Sequence, residues 1–154
     1  MIDLNKSLLV EQLDRKLSKF AVLKELDVPE KGWIFSIRSA LNMSLKQLGK
    51  RLKITAQSVK EIEQREINKT ISLKVMMETA EALNMKFVYG FIPNDNSVEK
   101  IIEKQAAKIA REIVLRTSHS MKLEEQDNSE KRIEEAIKNR TEIIKRELPR
   151  YLWE

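Results

Sequence analysis

The stretch from Met43 to Glu66, MSLKQLGKRLKITAQSVKEIEQRE, contains two short helical patterns separated by the tripeptide KIT. Each pattern places its apolar residues on one helical face, first at Leu45, Leu48 and Leu52 and then at Val59 and Ile62. A single buried helix would not need the break. The stretch therefore predicts a helix-turn-helix, in which two helices are joined by a turn of about three residues.

The outward side of the second helix is polar. Gln57, Lys60 and Glu61 share this side. Glutamine can bond an adenine edge at two points, lysine can donate to guanine, and glutamate can accept from the cytosine amine. These three residues are therefore the candidate base readers in a major groove about 12 Å wide.

Side chains around the two helices can hold phosphates, which supply most of the sequence-independent affinity for DNA. The predicted phosphate contacts are Ser44, Lys46, Lys50, Arg51, Lys53, Thr55, Ser58 and Lys69. Ser44 is also placed to cap the first helix. Glu63 is expected to have a structural role instead.

Composition restricts the classes of protein that fit this chain of 154 residues. With 42% hydrophobic and 34% charged residues, three Gly and three Pro, it suits one modest core built from amphipathic helices. The net charge of +5 favours a polyanionic partner. The chain has no Cys and one His, and it lacks a Gly-rich phosphate loop and a nucleophile beside a base. We therefore expect no enzyme activity, no metal and no cofactor.

The sequence also bears on cellular location. No apolar run approaches the roughly 18 residues that a membrane-spanning helix needs, and acidic residues interrupt the apolar ones near the N-terminus. Secretion and membrane insertion are therefore not expected, and the absence of Cys agrees with a cytoplasmic protein.

Helical patterns flank the central stretch on both sides. A stripe at Leu9, Leu13, Leu17 and Phe20 predicts a helix over residues 4–26, and a second inner face follows at Trp33, Ile34, Ile37 and Leu41. Ser72 is placed to cap a helix whose core positions include Met76 and Met77, with Met85 after it. The predicted division is an N-terminal helical arm at 1–30, a DNA-binding domain at 31–93 and a C-terminal helical extension at 94–154.

The segment KFVYGFI, residues 86–92, changes character, because β-branched and aromatic residues crowd it and turn residues bound it. It predicts one short β-strand. A lone strand leaves backbone donors and acceptors unpaired, so it needs a partner, most simply its own copy in a homodimer. The side chains of the predicted dimer strand are Phe87, Val88, Tyr89, Phe91 and Ile92.

From about Trp33 to Met85 the chain resembles the lambda-repressor/Cro-like (XRE) helix-turn-helix family. The resemblance lies in the apolar pattern of the two central helices, in the acid Glu63 and in the helix ending AEALN. It implies a mainly α fold with a five-helix-type core. It also adds Ala56 to the base-contacting positions, although many members carry glutamine at that position and at the position of Leu45.

The continuation LNMKFVYGFIP is similar to the strand by which HipB-type antitoxins dimerise. Together with LLVEQLDRKL, AAKIAREIV and RYLWE, it makes nearly the whole chain resemble the group called mobile mystery protein A, which is encoded beside Fic/Doc-domain proteins. The resemblance implies a Fic/Doc-domain partner. Ser120 and Glu124 resemble a Fic-inhibitory motif, except at its last position.

The function expected from these features is that of a sequence-specific, DNA-binding transcriptional repressor. It would bind a pseudo-palindromic operator in double-stranded DNA and act as the antitoxin of a Fic/Doc-type toxin-antitoxin pair that regulates its own operon. Two alternatives are a protein-binding adaptor without a DNA role and a free-standing XRE regulator without a toxin.

Overall fold

The computed structural model describes residues 4–121 and 129–154, and within them the chain is helical. Its α-helices in chain order are α1 (Leu4–Leu17), α2 (Trp33–Ala40), α3 (Leu45–Leu52), α4 (Ala56–Ile67), α5 (Leu73–Ala82), α6 (Val98–Met121) and α7 (Ser129–Glu147). Short 3-10 helices follow at Ser18–Leu23 and Arg150–Trp153. The prediction of a mainly α protein is confirmed.

The chain divides into two compact units. The central unit, Glu25–Tyr89, contains α2 to α5, and the terminal unit combines Met1–Lys24 with Gly90–Glu154. The predicted DNA-binding domain at 31–93 corresponds closely to the central unit, which holds four α-helices where the resemblance implied five. Of the two arms predicted at 1–30 and 94–154, all but residues 25–30 belong to the terminal unit.

Apolar side chains from α2 to α5, together with Leu83 directly after α5, form the core of the central unit. Its buried members are Ile34, Leu48, Val59, Ile62 and Leu83. Leu48, Val59 and Ile62 are three of the positions that the helical periodicity assigned to the interior. The two central helices are therefore oriented as the sequence predicted.

Four side chains predicted for this core are exposed instead. In α2, Ile34 is buried but Trp33 is 37% exposed and Leu41 is 52% exposed. Trp33 lies about 100° around the helix from Ile34, and Leu41 follows the last residue of α2, so neither reaches the core. Met77 and Met85 are also exposed, whereas Met76 packs on the core.

Side-chain caps fix where the central helices begin. The Gln47 amide donates to Ser44 Oγ at 3.1 Å and the Ser44 amide donates to Gln47 Oε1 at 2.8 Å, which completes a capping box. The Val75 amide donates to Ser72 Oγ at 3.2 Å. Both predicted caps are therefore present.

The terminal unit is organised by the pairing of α6 with α7. Its buried members are Ile102, Ala106, Ala110, Ile144 and Leu152, and Val10 of α1 packs against them. The small side chains of Ala106 and Ala110 let the two helices approach closely. This unit has a core of its own.

Helix α1 is shorter than predicted and faces another way. It ends at Leu17 where the stripe predicted a helix to residue 26, and Leu9 and Leu13 are exposed. The side that contacts α6 carries Asp14, whose carboxylate accepts the Val98 amide at 2.7 Å and the Glu99 amide at 3.1 Å. The side of α1 that carries Val10 and Asp14 therefore packs within the terminal unit, whereas Leu9 and Leu13 face solvent.

The predicted strand at 86–92 is not confirmed. In the described part of the chain no residue lies in a strand, and residues 86–92 make no backbone–backbone hydrogen bond. Val88, Tyr89 and Phe91 are 60%, 58% and 81% exposed. Because strand pairing here would need a second chain, the dimer strand stays a prediction.

The Asp14 cap predicts a selective loss of stability. Asp14→Ala removes the acceptor of two amides and should lower the free energy of unfolding by about 1 kcal/mol, the usual worth of a helix cap. Glu11→Ala on the same helix is the control, because among the described residues Glu11 bonds only the exposed Arg15. Urea denaturation followed by far-ultraviolet circular dichroism measures both. Equal losses of stability in the two variants would show that the Asp14 cap is not the source of the effect.

Candidate nucleic-acid interface

The turn between α3 and α4 consists of Lys53, Ile54 and Thr55. Lys53 adopts a left-handed conformation with φ of 58°, and the Ile54 amide donates to the Gly49 carbonyl at 2.8 Å. Thr55 Oγ1 then accepts the Ser58 amide at 3.1 Å, which starts α4 at Ala56. The break that the sequence predicted at KIT is thus formed by the hydrogen bond that ends α3 and by the side-chain cap that starts α4.

Gly49 lets the backbone of the turn pack closely against α3, and the sequence patterns assigned no role to this residue. A Cβ at Gly49 would lie 2.7 Å from the Ile54 carbonyl oxygen and 3.2 Å from the Thr55 carbonyl carbon. Both are backbone atoms, so the turn itself would have to move. A glycine alone inside an amphipathic helical pattern was the signal that could have identified this close approach.

Helix α4 has two sharply different sides. Val59, Ile62 and Glu63 are buried, whereas Gln57, Lys60, Glu61 and Gln64 are exposed. The structure therefore brings the three predicted base readers together on one solvent-facing side. Ala56, at the first residue of α4, is half-buried beside them.

The predicted phosphate contacts fall into two groups. The exposed cations are Lys46, Lys50, Arg51, Lys53 and Lys69. The hydroxyls of Ser44, Thr55 and Ser58 are engaged within the protein, since the first two cap helices and Ser58 Oγ lies 2.9 Å from Thr55 Oγ1. Arg51 also donates to the Ala82 carbonyl at 3.2 Å, which ties α3 to the end of α5.

A buried ion pair holds α4 in place. Arg38 Nε and Nη2 donate to the two carboxylate oxygens of Glu63 at 2.6 and 3.2 Å, and Arg38 Nη1 donates to the Met43 carbonyl at 2.8 Å. One guanidinium thus links α2, the turn before α3 and the middle of α4. The structural role expected for Glu63 agrees with this geometry. Its partner Arg38 was missed because no local pattern connects residues 25 positions apart.

A second carboxylate fixes the far end of α4. Glu66 accepts the Trp33 amide at 2.7 Å and the Ile34 amide at 3.0 Å, so it caps α2 from another helix. Gly32 precedes α2 with φ of 80°, and a Cβ there would lie 2.9 Å from the Glu66 carboxylate. Helix α4 is therefore anchored to α2 at its middle and at its last turn.

The described residues contain no group of three or more His, Cys, Asp or Glu side chains that could hold a metal ion, and none of their helices could span a membrane. A cleft of about 680 Å³ in the terminal unit is lined mainly by charged side chains. Several already pair with each other or cap α6, as Asp14 does.

One predicted motif cannot be placed. Glu124 lies outside the described residues, and so does the side chain of Ser120, although its backbone belongs to α6. The Fic-inhibitory motif therefore stays a prediction from sequence.

Comparison of the chain with protein-family models, curated proteins and solved structures gave no match. The resemblance to the XRE family accordingly remains a prediction from the residues themselves. The case for a function rests on the geometry of α3 and α4 and on the charges around them.

The Arg38–Glu63 pair predicts a large stability effect with a specific rescue. Arg38→Met leaves a buried carboxylate without its partner and should lower the free energy of unfolding by about 3 to 5 kcal/mol. Adding Glu63→Leu removes that charge and should recover most of the loss, since apolar replacement of a buried pair is often neutral. Urea denaturation of wild type and the two variants measures the loss of stability and its recovery. A double variant as unstable as Arg38→Met would contradict the account.

Proposed function

We propose that this protein is a sequence-specific DNA-binding transcriptional repressor in which α3 and α4 act as a helix-turn-helix. The observation that carries the proposal is the two-sided α4, which is fixed by buried contacts and presents a polar face to solvent. A helix in that setting has the width to enter a major groove of about 12 Å. The buried contacts on the inner side of α4 would hold its outer side chains at fixed positions relative to the base edges.

The polar face has the chemistry of base recognition. Gln57, Lys60 and Glu61 combine a two-point donor and acceptor, a cationic donor and an anionic acceptor. Their spacing of three and four residues aligns them along one side of α4. They lie in its first half, which is the part of a recognition helix that contacts bases.

The electrostatics of the same region favour a polyanion. From Met43 to Lys60 the chain carries five Lys and Arg residues and no Asp or Glu. Lys46, Lys50 and Lys53 are exposed on α3 and in the turn, where they could meet phosphates while α4 contacts bases. Positive charge adjoining a polar helix face distinguishes this surface from an ordinary solvated one.

A homodimer completes the proposal. Residues 86–92 present unpaired backbone groups and exposed apolar side chains, and a second copy could satisfy both by pairing strand to strand. Two-fold symmetry would then place two α4 helices on half-sites whose centres are separated by roughly 10 bp or a multiple of it. The operator would be a pseudo-palindrome.

The proposed partner of this repressor is a Fic/Doc-domain protein, which it would neutralise as an antitoxin. This part rests on the resemblance to the group encoded beside such proteins. An adjacent reading frame containing the Fic motif HxFxxGNGR would support the toxin-antitoxin pairing, whereas its absence would favour a free-standing regulator.

The adaptor alternative has one observation in its favour. In the terminal unit, Leu9 and Leu13 are 63% and 45% exposed on α1, and such apolar surface often marks a protein contact. An adaptor of this kind would not need the polar face of α4. Substitution on that face therefore separates the two hypotheses.

The first test is DNA binding by the double variant Gln57→Ala/Lys60→Ala. Wild type should prefer the DNA upstream of its own gene over a scrambled duplex by about a thousandfold or more, and the double variant should lose about 2 to 6 kcal/mol of that preference. Fluorescence anisotropy at fixed salt measures the affinities. Gln12→Ala/Lys16→Ala, on exposed positions of α1, is the matched control.

Either of two results would contradict the proposal. Equal affinity of wild type for upstream and scrambled DNA would leave only charge attraction and favour the adaptor. A double variant that retains full preference would remove α4 as the reading element, whatever the protein's overall affinity.

The second test concerns the dimer. Val88→Pro and Tyr89→Pro, made separately, each remove one backbone donor. Alternate residues of a strand direct their amides to opposite edges, so one of the two should break the ladder and yield monomers. Light scattering after size-exclusion chromatography measures the mass, with Val88→Thr as control because it keeps the amide. Dimers from both proline variants, or a monomeric wild type, would refute strand pairing.

A further inference from the structure

The solvent side of α6 carries a line of positive charge. Lys100, Lys104, Lys108 and Arg111 follow one another at spacings of four, four and three residues, and all four are exposed. Ile102, Ala106 and Ala110 are buried on the opposite side of the helix. The four cations, here called the α6 stripe, therefore lie within a narrow arc that faces solvent over about 16 Å.

The α6 stripe differs from the usual surface of a solvated helix. On such a surface opposite charges alternate at four-residue spacing, as α7 does with Lys131 and Glu135, Glu134 and Lys138, and Lys138 and Glu142. The α6 stripe instead sets like charges beside one another, and such pairs destabilise an isolated helix. An anionic partner would relieve that repulsion.

Most of these cations have no ion-pair partner among the residues that the structure describes. Glu103 and Glu112 border the α6 stripe on either side, yet Lys100, Lys108 and Arg111 form no salt bridge with any described residue. Lys104 lies 3.3 Å from Asp95 Oδ1, in an exposed pair that adds little stability. The positive charge of the α6 stripe thus remains largely available to a ligand.

We propose that the α6 stripe binds the phosphate backbone of double-stranded DNA, as a second contact surface in the terminal unit. Over about 16 Å, B-DNA presents roughly ten phosphate charges, one for each 1.7 Å of its axis. Lysine ammonium groups bind phosphates as point charges, and the Arg111 guanidinium can bond phosphate oxygens at two points. A straight row of cations is complementary to this regular anionic surface.

The side chains between the cations favour a duplex over other polyanions. Ala107 and Leu115 lie along the α6 stripe, and no aromatic ring interleaves with its charges to stack the bases of a single strand. The apolar side of α6 is buried in the core, so it is unavailable for insertion into a lipid surface. A surface that offers positive charge, but neither aromatic rings for base stacking nor apolar side chains for lipid insertion, suits a contact with the phosphate backbone of a duplex.

This inference rests on the proposed function for the identity of the duplex, since the two units share one chain and would act on the same DNA. Once α4 binds its site, the covalent connection would give the α6 stripe a high effective concentration of neighbouring phosphates. Its contribution would be independent of sequence. It can therefore be measured on any duplex.

The test compares two quadruple glutamine variants of the full chain. The first replaces Lys100, Lys104, Lys108 and Arg111. The control replaces four other exposed cations of the terminal unit, Lys16, Lys19, Arg132 and Lys138, and so lowers the net charge equally. Fluorescence anisotropy on a scrambled 30-bp duplex, over a series of salt concentrations, gives the slope of log K against log salt.

The α6-stripe variant should bind the scrambled duplex more weakly, and its slope should be shallower by about 0.9 for each lost phosphate contact. The control should keep the wild-type slope. Equal changes in the two variants, or no change in either, would overturn the inference. So would an unaltered duplex affinity together with weaker binding to single-stranded RNA or to acidic lipid vesicles.

The same titrations, made on the upstream duplex as well as on the scrambled one, separate this inference from the proposed function. If wild type shows no sequence preference but the α6-stripe variant still has the shallower slope, the repressor proposal fails and the backbone contact stands. If wild type keeps its sequence preference but the slope depends equally on both sets of cations, the repressor proposal stands and the backbone contact by the α6 stripe fails. Circular dichroism confirms that each variant is folded.

Discussion

The ion pair between Arg38 and Glu63 is the interaction on which the central unit most depends. The Glu63 carboxylate is buried, the Arg38 side chain is only 11% exposed, and the hydrogen bonds of the pair join α2, the turn at Met43 and α4. Because an unpaired buried charge is so unfavourable, α4 can hardly rotate or slide without breaking the pair. The orientation of the polar face of α4 therefore follows from a contact on its opposite side.

In each unit a carboxylate from one helix caps the start of another helix that is distant in sequence. Glu66 caps α2 from the last turn of α4, and Asp14 caps α6 from α1. Each satisfies two backbone amides that would otherwise lack partners at a helix start. In a chain with few large aromatic residues, such bonds fix helix geometry that apolar packing alone would leave less specific.

Much of the central unit could be predicted from sequence because its signals are local. The periodic apolar residues gave the inner faces of α3 and α4, and Ser44 and Ser72 gave the starts of α3 and α5. The outward placement of the candidate base readers followed from the same periodicity. The role of Gly49 and the pairing of Arg38 with Glu63 did not, since each depends on atoms brought together only by the folded turn.

The mainly helical class, the break at KIT and the polar face of α4 follow from local sequence signals, because periodicity and capping act within one or two helical turns. Which side of α1 packs depends instead on long-range contacts, and there the stripe at Leu9 and Leu13 was misleading. The side of α1 that packs carries Val10 and Asp14, and a bond between residues 84 positions apart leaves no local pattern. Tertiary structure likewise decided that the two terminal arms form one unit, since their shared core exists only once distant segments meet.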